Sequence, residues 1–305
     1  MNLLCIIEHI DFTSLEAEGI HECQRMFHGR GHTYAGLEHI SVDWLAPVLL
    51  ITLYKEESGE ALLPLAQVMM ESIAECTSVQ VQYRCRTGAP MEVLLGEEIM
   101  ETIVSENGLK YHVQLGKSQN TGLFLDMANG RSWVRRNTEN KRVLNLFSYT
   151  CAFSVAALAG GATYVVNFDN NKSVLKKGRD NHRLNSVDIR SANFENMNIL
   201  KSFGRIRKHG PYDLLICDPP SFQKGSVDIR KDYRKILNRL PEFMNDNAKL
   251  MLCLNSPGLT EDFIHDMMAE ELPKSSFLES IPTPDVFKEA MDGKGLKVLI
   301  YQFCT

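Results

Sequence analysis

Several sequence features that often reveal a protein's function are missing from this chain of 305 residues. No apolar run reaches the roughly 18 residues of a membrane-spanning helix, and the N-terminus lacks the basic segment of a secretory signal. The eight cysteines form no Cys-x-x-Cys pair, which favours free thiols in a reducing cytosol over disulfides or a zinc site. No Gly-x-Gly-x-x-Gly motif occurs, which argues against a nicotinamide or flavin dinucleotide.

Charge is distributed unevenly along the chain, whose net charge is −5. Residues 1–120 contain 7 basic and 17 acidic side chains, whereas residues 121–305 contain 26 basic and 21 acidic ones. This asymmetry, together with a change of pattern, predicts two domains, at 1–118 and 119–305. The mildly basic second part permits nucleic-acid binding without requiring it.

The first 118 residues have the pattern of a small α/β domain. Residues 47–54 form an apolar run that predicts a strand. The run starts at a proline, which is tolerated at the first residue of a strand. Helical spacing follows over 61–76, and strict alternation over 78–83 predicts a half-buried strand. Asn107-Gly108 lies between two alternating runs, which is a strong signal for a β-hairpin.

Strands and helices alternate from residue 141 onward, which predicts a Rossmann-like, mostly parallel sheet of the α/β class. The predicted strands are 142–147, 163–168, 188–192, 212–217 and 249–254, and the predicted helices are 152–159, 172–183, 230–244 and 261–271. Two further strands, 276–281 and 296–303, follow without an intervening helix. They predict an antiparallel last strand in a sheet of seven.

A candidate substrate site follows the predicted strand 212–217, in Asp218-Pro219-Pro220-Ser221-Phe222. The prolines stiffen the turn and leave carbonyl groups free to accept hydrogen bonds. Asp218 can accept from an exocyclic amine, and Phe222 can stack on a base. The alternative interpretation is a rigid surface turn with a capping Asp. Asp218, Pro219 and Phe222 are therefore the candidate catalytic residues.

A candidate cofactor site lies at the carboxyl ends of the first three strands of this domain, where ligands bind in such sheets. Asp169 stands 22 residues after Phe147 and can bind both hydroxyls of a ribose, although it could instead cap the next helix. Asn193-Phe194 suits an adenine, with a loop Asn and a core Phe as the alternative. The loop 148–150 offers Ser148 or Thr150 as helix caps.

Ordered motifs across residues 90–305 resemble the S-adenosylmethionine-dependent methyltransferases of 23S ribosomal RNA, the large-subunit RNA of bacteria. They are Thr121–Asp126, Asn145–Thr150, Phe153–Ala157, Gly160–Ala162, Asp169 and Asp218–Phe222. The resemblance implies a class I methyltransferase domain that binds S-adenosylmethionine and an RNA base. It implies that the cofactor is held by Phe124, Asn145, Phe147, Ser148, Tyr149, Thr150, Asp169, Asn170, Asn193, Phe194 and Asp218. Gln119 and Asp126 would belong to a loop that closes over it.

Three departures from that family's pattern qualify these expectations. Cys151 stands where the family usually has Gly, so we expect its side chain to narrow the methionine pocket. Members that make 5-methylcytosine have a cysteine nucleophile where this chain has Ser256, and Cys253 comes three residues too early. Methylation of a guanine nitrogen is therefore favoured. The first 90 residues do not resemble the usual RNA-binding modules of the family.

The expected partner is RNA, ribosomal RNA above all, with no membrane and no metal; a homodimer is left open. Basic residues at 205–208 and at 224–235 could hold the RNA backbone, or could be solvated helix faces. His28 and His32 flank a glycine-rich segment that fits a turn better than a metal site. Two alternative functions stay open: a small-molecule or protein methyltransferase, and a non-catalytic RNA-binding relative. The expected location is the cytoplasm.

Overall fold

The structure is a computed structural model that describes residues 3–13, 22–220, 228–256, 258–291 and 293–305. Contacts between residues divide the chain into two compact units. The first comprises Met1–Asp126 and Asp285–Met291, and the second comprises Met127–Pro284 and Asp292–Thr305. The domain boundary at 118 stays a prediction.

The first unit is built on a five-stranded sheet with a helix packed against it. The strands, in spatial order, are β1 (Gln24–His28), β2 (Ile40–Leu45), β3 (Val48–Leu53), β4 (Ser78–Tyr83) and β5 (Met91–Gly96). Helix α1 (Gly59–Ser72) connects β3 to β4, which are parallel, whereas the other pairs are antiparallel. Leu62, Leu65, Ala66 and Met69 bury the apolar face of α1 in the core of this unit.

The predicted hairpin is confirmed as β6 (Glu101–Glu106) and β7 (Leu109–Gln114), which pair in antiparallel register. The two turn residues Asn107 and Gly108 have φ of 51° and 72°. Both values lie in the left-handed region that an Asn-Gly hairpin turn requires.

Strand β4 is fully buried, so the prediction that it is half-buried was wrong. Its polar side chains are covered because each one reaches a backbone carbonyl of the segment that follows β5. Ser78 Oγ donates to Glu97 O (2.6 Å), Gln80 Nε2 to Ile99 O (2.9 Å) and Gln82 Nε2 to Ser118 O (3.1 Å). These hydrogen bonds offset the free-energy cost of burying the polar side chains. The alternation of apolar and polar residues in the sequence does not reveal such bonds.

The segment from His28 to His32 is a tight turn, as predicted. A Cβ on Gly29 would lie 1.9 Å from the carbonyl oxygen of Leu37, and one on Gly31 would lie 1.8 Å from that of Lys288. Only glycine fits at these two positions. In the described part of the chain, no three His, Cys, Asp or Glu side chains are grouped so that they could hold a metal ion.

The second unit contains a seven-stranded sheet, as predicted, with strand order β10-β9-β8-β11-β12-β14-β13. The strands are β8 (Arg142–Leu146), β9 (Tyr164–Asp169), β10 (Ala192–Asn196), β11 (Tyr212–Cys217), β12 (Met244–Leu254), β13 (Ser276–Ser280) and β14 (Lys297–Gln302). The first five pair in parallel, and β14 is antiparallel to both of its neighbours. The helices are α2 (Ala128–Asn137), α3 (Ala152–Ala159), α4 (Lys172–Leu184), α5 (Phe203–His209), α6 (Ile229–Leu237) and α7 (Asp262–Glu271).

Several predicted elements have other bounds in the structure; β12, for example, begins at Met244 instead of residue 249, and α1 ends at Ser72 instead of residue 76. Two further differences have a local cause. The strand predicted at 188–192 lies at Ala192–Asn196, because Asp188 accepts from Arg190 N (3.0 Å) and starts a 3₁₀ turn instead. The helix predicted to end at 244 ends at Leu237. Pro241 lies in the 3₁₀ turn Leu240–Glu242, where its missing N–H and fixed φ do not sustain an α-helix.

Register brings the carboxyl ends of the central strands to one edge of the sheet. Leu146 of β8 lies beside Phe168 of β9 on one side and beside Cys217 of β11 on the other. The segments after these three strands therefore start next to one another. Within the described ranges, no helix is long and apolar enough to span a membrane.

Candidate functional site

The loop after β8 has an unusual backbone that brings the residues 147–151 into a compact turn. Phe147, Tyr149 and Cys151 have φ of 58°, 47° and 60°, in the left-handed region that non-glycine residues rarely adopt. Ser148 N donates to Phe168 O (3.0 Å), and Cys151 N donates to Ser148 O (2.7 Å). Backbone hydrogen bonds thus hold the loop against the end of β9, while Ser148 and Thr150 are buried. Neither side chain caps α3, whose N-cap position is Cys151.

Asp169, at the end of β9, is held by the same loop. Its Oδ2 accepts from Tyr149 N (2.9 Å) and its Oδ1 from Asn171 N (2.8 Å). Burial raises the pKa of Asp169, and the N–H groups of Asn171, Tyr149 and Asn170 act in the opposite direction. Asn171, not Asp169, caps α4 by accepting from Ser173 N (2.9 Å). The helix-cap interpretation of Asp169 was therefore wrong.

A carboxylate has about four acceptor positions, and the backbone contacts of Asp169 leave capacity for hydroxyl donors. A half-exposed carboxylate at this edge matches the chemistry of a ribose diol. The neighbouring Asn170 is exposed. The loop 147–151 and Asp169 therefore fit a nucleoside-bearing cofactor such as S-adenosylmethionine, and their individual roles in binding it stay predictions.

Asn145 belongs to a buried chain of hydrogen bonds below this edge. Its Nδ2 donates to Asn167 Oδ1 (2.9 Å), and Asn167 Nδ2 donates to Ser154 Oγ (3.0 Å). Ser154 Oγ contacts His182 Nε2 (2.9 Å), and His182 Nδ1 contacts Gly178 O (2.6 Å). Burial lowers the pKa of His182 to about 4, so its ring is neutral at pH 7. Asn145 therefore links β8 to β9 in the interior of the unit, and a direct contact with the cofactor stays a prediction.

The side chain of Cys151 is fully buried and packs against α4. A Cβ added to Gly178 of α4 would lie 2.5 Å from Cys151 Sγ and 3.0 Å from Cys151 Cβ. The glycine therefore provides the space that the thiol occupies, at the usual cost of about 0.5–1 kcal/mol for glycine within a helix. Whether Cys151 also narrows a methionine pocket stays a prediction. Burial raises the pKa of the thiol to about 12, so it is not a nucleophile.

Asn193 and Phe194 lie within β10, because the strand is shifted from its predicted position. Phe194 pairs with Asn167, two residues before Asp169. His182 makes an edge contact with the ring of Phe194 at 5.1 Å between centroids, and Arg179 Cζ lies 4.6 Å from its centroid. A role for Asn193 and Phe194 in binding adenine stays a prediction.

Two residues that the sequence did not suggest lie closer to the edge. Asn196 is in register with Asp169, and its Nδ2 donates to Asp169 O (3.2 Å). Met197 N donates to the same oxygen (3.1 Å), and its side chain is 40% exposed. An exposed thioether beside Asp169 suits packing against a flat base. Because β10 is short and mostly polar, the spacing of apolar residues does not predict where this strand ends.

Asp218 follows β11, directly beside the loop after β8. Asp218 is half-buried, Pro219 is buried and Pro220 is exposed, whereas Phe222 lies outside the described residues. On the other side, β12 leads to Asn255, which is exposed, and to Ser256, whose carbonyl accepts from Lys297 Nζ (3.1 Å). The structure thus brings together Asp218, Phe147 and Asp169 on one edge, in agreement with the predicted arrangement of strand ends.

Phe124 belongs to the first unit, where its side chain is 41% exposed. Gln119 and Asp126 belong to that unit too. A role for this segment in covering a cofactor stays a prediction.

Most cations of the two predicted RNA-contact clusters are paired with acidic side chains. Arg205 donates to Glu195, Arg207 faces Glu242, Arg234 contacts Glu270 and Glu271, and Lys235 contacts Asp232, at distances of 2.6–3.6 Å. Lys224 lies outside the described residues. Lys208, Arg230 and Lys231 are exposed and have no carboxylate within 4.0 Å among the described residues. The clusters therefore combine ion-paired cations with cations that could still contact RNA.

Comparison with known proteins gives consistent matches. A family model for S-adenosylmethionine-dependent methyltransferases matches residues 24–302. The chain is 30% identical over 247 residues to a ribosomal RNA large subunit methyltransferase I of Shigella boydii, covering 77% of this chain and 62% of that protein. It is 29% identical over 245 residues to the protein of the same name from Escherichia coli O139:H28, with equal coverage. The chain thus spans about 62% of the length of these curated relatives.

Solved structures share the fold. One of them is a protein whose assignment as a methyltransferase is provisional and which was solved in complex with SAH. It superposes on this chain with a TM-score of 0.86 at 24% sequence identity, and the match covers 99% of this chain and 82% of that chain. A SAM-dependent methyltransferase from Agrobacterium tumefaciens gives a TM-score of 0.65 at 18% identity, with 87% of both chains covered. At these identities the likeness establishes the fold of the chain.

The packing of Cys151 on Gly178 predicts a coupled pair. Gly178→Ala should lower the free energy of unfolding by about 1–3 kcal/mol, because the new methyl group overpacks the thiol. In a Cys151→Gly background the same change should cost much less. Urea unfolding of the two single variants and the double variant measures the coupling. Gly204→Ala on α5 is the control, since a Cβ there meets nothing within 4 Å. Equal losses from Gly178→Ala in both backgrounds would contradict the packing explanation.

The position of Asp169 predicts that it binds the cofactor through its charge. Asp169→Asn should weaken binding of S-adenosylhomocysteine about 10- to 100-fold, the usual worth of hydrogen bonds to a charged group. Isothermal titration calorimetry measures this affinity. The control is Asp188→Asn, an exposed carboxylate that pairs with Arg190. If Asp169→Asn binds S-adenosylhomocysteine with unchanged affinity, Asp169 does not bind the cofactor through its charge.

Proposed function

We propose that this chain, which belongs to the S-adenosylmethionine-dependent methyltransferase family, methylates a base in ribosomal RNA. The observation that carries the proposal is the position of Asp218. Its strand β11 pairs with β8, so Asp218 begins the segment beside the loop 147–151 and shares an edge with Asp169. A cofactor-binding loop and a base-binding carboxylate on neighbouring strand ends fit a transfer between two bound molecules.

Bound S-adenosylmethionine would supply an already activated methyl group, so the chain mostly has to align the acceptor. Asp169 would hold the ribose hydroxyls, and the loop from Phe147 to Thr150 would hold the methionine part. Asp218 and the carbonyl of Pro219 would accept hydrogen bonds from an amine of the base and turn its lone pair toward the methyl group. Asp218 would also accept the proton that the nitrogen releases. Phe222 would stack on the base.

The cysteines favour a nitrogen of guanine over C5 of cytosine as the acceptor. Methylation at C5 requires an accessible thiolate that adds to C6. Cys217 and Cys253 are fully buried, and burial raises the pKa of Cys217 far above its usual value. Cys304, the one partly exposed cysteine of the second unit, follows β14 at the opposite edge of the sheet, where Gln302 pairs with Lys249. A nitrogen acceptor needs no such nucleophile.

RNA as substrate is supported by cations on α4. Lys172 and Lys176 are exposed, lie one turn apart, and face no carboxylate within 4.0 Å among the described residues. Like charges at this spacing destabilise a helix, and a cation at the first helical position opposes the helix dipole. Two lysines that lower the stability of their own helix in this way fit a function in binding a polyanion. The helix begins directly after Asp169 and Asn171, at the proposed cofactor edge.

The curated relatives that the chain matches are named for ribosomal RNA, which favours this substrate over a small molecule or a protein. A cytoplasmic location fits the same substrate and the free cysteines. The comparisons give no support for a homodimer, so the proposal does not include one.

Asp218→Ala should lower the rate of methyl transfer at least about 100-fold, because it removes both the alignment and the proton acceptor. The measurement uses labelled S-adenosylmethionine and total RNA from cells that lack this gene, followed by analysis of nucleosides. We expect label in a methylguanosine with the wild-type protein and its loss with the variant.

The resemblance also implies a cofactor contact for Asp218, so binding of S-adenosylhomocysteine to Asp218→Ala is measured in parallel and the rates are compared at saturating S-adenosylmethionine. Label in 5-methylcytidine would overturn the guanine assignment. Label in protein or in small molecules, with none in RNA, would overturn RNA as the substrate.

Replacing Lys172 and Lys176 by Gln should weaken RNA binding most at low salt. Each lost phosphate contact should lower the slope of log K against log salt by about 0.7 for single-stranded RNA. Filter binding to a large-subunit RNA transcript at several salt concentrations gives the slope. Lys274→Gln with Lys294→Gln removes the same charge from other exposed positions as a control. Equal slopes in both double variants would exclude a specific contact at α4.

A further inference from the structure

Tyr233 of α6 forms a bridge between the two strands that lead into the proposed acceptor site. Its hydroxyl lies 3.2 Å from the carbonyl oxygen of Cys217, the last residue of β11. It lies equally close, at 3.2 Å, to the carbonyl oxygen of Cys253 in β12. The single hydroxyl proton is therefore shared between two strand carbonyls.

Both contacts lie in a dry interior. Tyr233 is 1% exposed, and Cys217 and Cys253 are fully buried. The ring packs in a core cluster that includes Ile229, Ile236 and Leu237 of the same helix. Burial, together with nearby acidic groups, keeps the phenol protonated, because it raises its pKa well above 10. The hydroxyl thus remains a donor over the whole pH range in which the protein would work.

The first carbonyl determines how Asp218 is presented. The peptide group that joins Cys217 to Asp218 is planar, so fixing its oxygen also fixes the direction of the Asp218 N–H and the start of the Asp218-Pro219 turn. The second carbonyl lies one residue before the end of β12, which leads to Asn255. The sheet already pairs the two strands as far as Cys217 and Leu252. The buried phenol adds a contact that ties the carbonyl groups at both strand ends to α6.

We propose that Tyr233 is a positioning residue for methyl transfer, which holds the Asp218-Pro219 turn in register with the end of β12. Tyr233 touches neither the methyl group nor the acceptor. Its effect passes through the backbone. A displacement of the reacting atoms by about 1 Å can lower the rate of reaction about 100-fold. The inference rests on the proposed function, since it assigns Asp218 as the group that aligns the base.

The chain offers a matched control at the opposite end of the same strand. Tyr212, the first residue of β11, is fully buried, and its hydroxyl donates to Ile206 O (2.9 Å). Tyr212→Phe and Tyr233→Phe each remove one buried hydroxyl and keep the ring. Both should therefore lower the thermal midpoint by a similar amount, about 2–5 °C. Only Tyr233→Phe should disturb the acceptor site.

Steady-state kinetics of methyl transfer to RNA gives the first readout. Tyr233→Phe should lower kcat about 10- to 100-fold and leave the KM for S-adenosylmethionine within about twofold, because the ribose and loop contacts are on other strands. Tyr212→Phe should leave kcat within about twofold. Two outcomes would overturn the proposal: kcat unchanged in Tyr233→Phe, or equal losses of kcat in the two variants.

Hydrogen–deuterium exchange gives a second readout that does not depend on activity. Tyr233→Phe should speed exchange in peptides that contain the ends of β11 and β12, whereas Tyr212→Phe should not. Unchanged exchange at both strand ends would refute the bridge. If the wild-type protein methylates no RNA, the proposed function fails, and the exchange experiment still decides whether Tyr233 fixes these strand ends.

Discussion

The candidate site depends on a backbone interaction between the loop after β8 and the end of β9. Three non-glycine residues of that loop adopt left-handed conformations, which cost about 1–2 kcal/mol each. The compensating bonds run from Ser148 N to Phe168 O and from Tyr149 N to Asp169 Oδ2. Asp169 thus has a structural task as well as its proposed binding task, because its charge both stabilises the turn and faces the ligand edge.

The distribution of ion pairs separates structural cations from those that could bind RNA. Near the start of β11 and in the second half of α6, several arginines and lysines pair with carboxylates, in part from a different element, as Arg234 does with Glu271 of α7. A sequence shows runs of charged residues, but it does not show which carboxylates of other elements will lie beside them. On α4, Lys172 and Lys176 at i and i+4 lack a carboxylate neighbour among the described residues, as the exposed Lys208, Arg230 and Lys231 do elsewhere. The charge of the second part is compatible with the RNA partner that we propose, but it does not indicate which surface would meet it.

The mostly parallel sheet of seven strands and its antiparallel last strand could be predicted from the sequence, because apolar runs that alternate with helical spacing are typical of a doubly wound sheet. The spatial order of the strands was not predicted. Strand β11 matches its predicted bounds because its apolar run is continuous and followed by two prolines. Strand β10 does not, because its residues Ala192–Asn196 are polar at an edge of the sheet, where burial imposes no pattern. For the same reason Asn196 and Met197 were missed.

Contacts between distant residues account for the other differences. The burial of Gln80 and Gln82 requires carbonyl groups from residues far along the chain, and the tolerance of Cys151 requires a glycine on another helix. The sequence predicted a helix that includes Tyr233, but not that the hydroxyl of Tyr233 would meet two strand ends. Such features belong to tertiary packing, which overrides local pattern wherever a polar group is buried.

The buried chain from Asn145 to His182 has a fixed hydrogen-bond direction. Gly178 O can only accept, so Nδ1 of His182 carries the proton and Nε2 of the neutral ring accepts from Ser154. Ser154 Oγ then accepts from Asn167, whose Oδ1 accepts from Asn145. Asn167 Nδ2 also donates to Asn193 O (3.2 Å), which fixes the amide of Asn167 independently of the histidine. A proton on Nε2 of His182 would leave Ser154 facing a second donor. The fold keeps that proton away by burying the ring, so the acceptor role of Nε2 and the low pKa of His182 have the same physical origin.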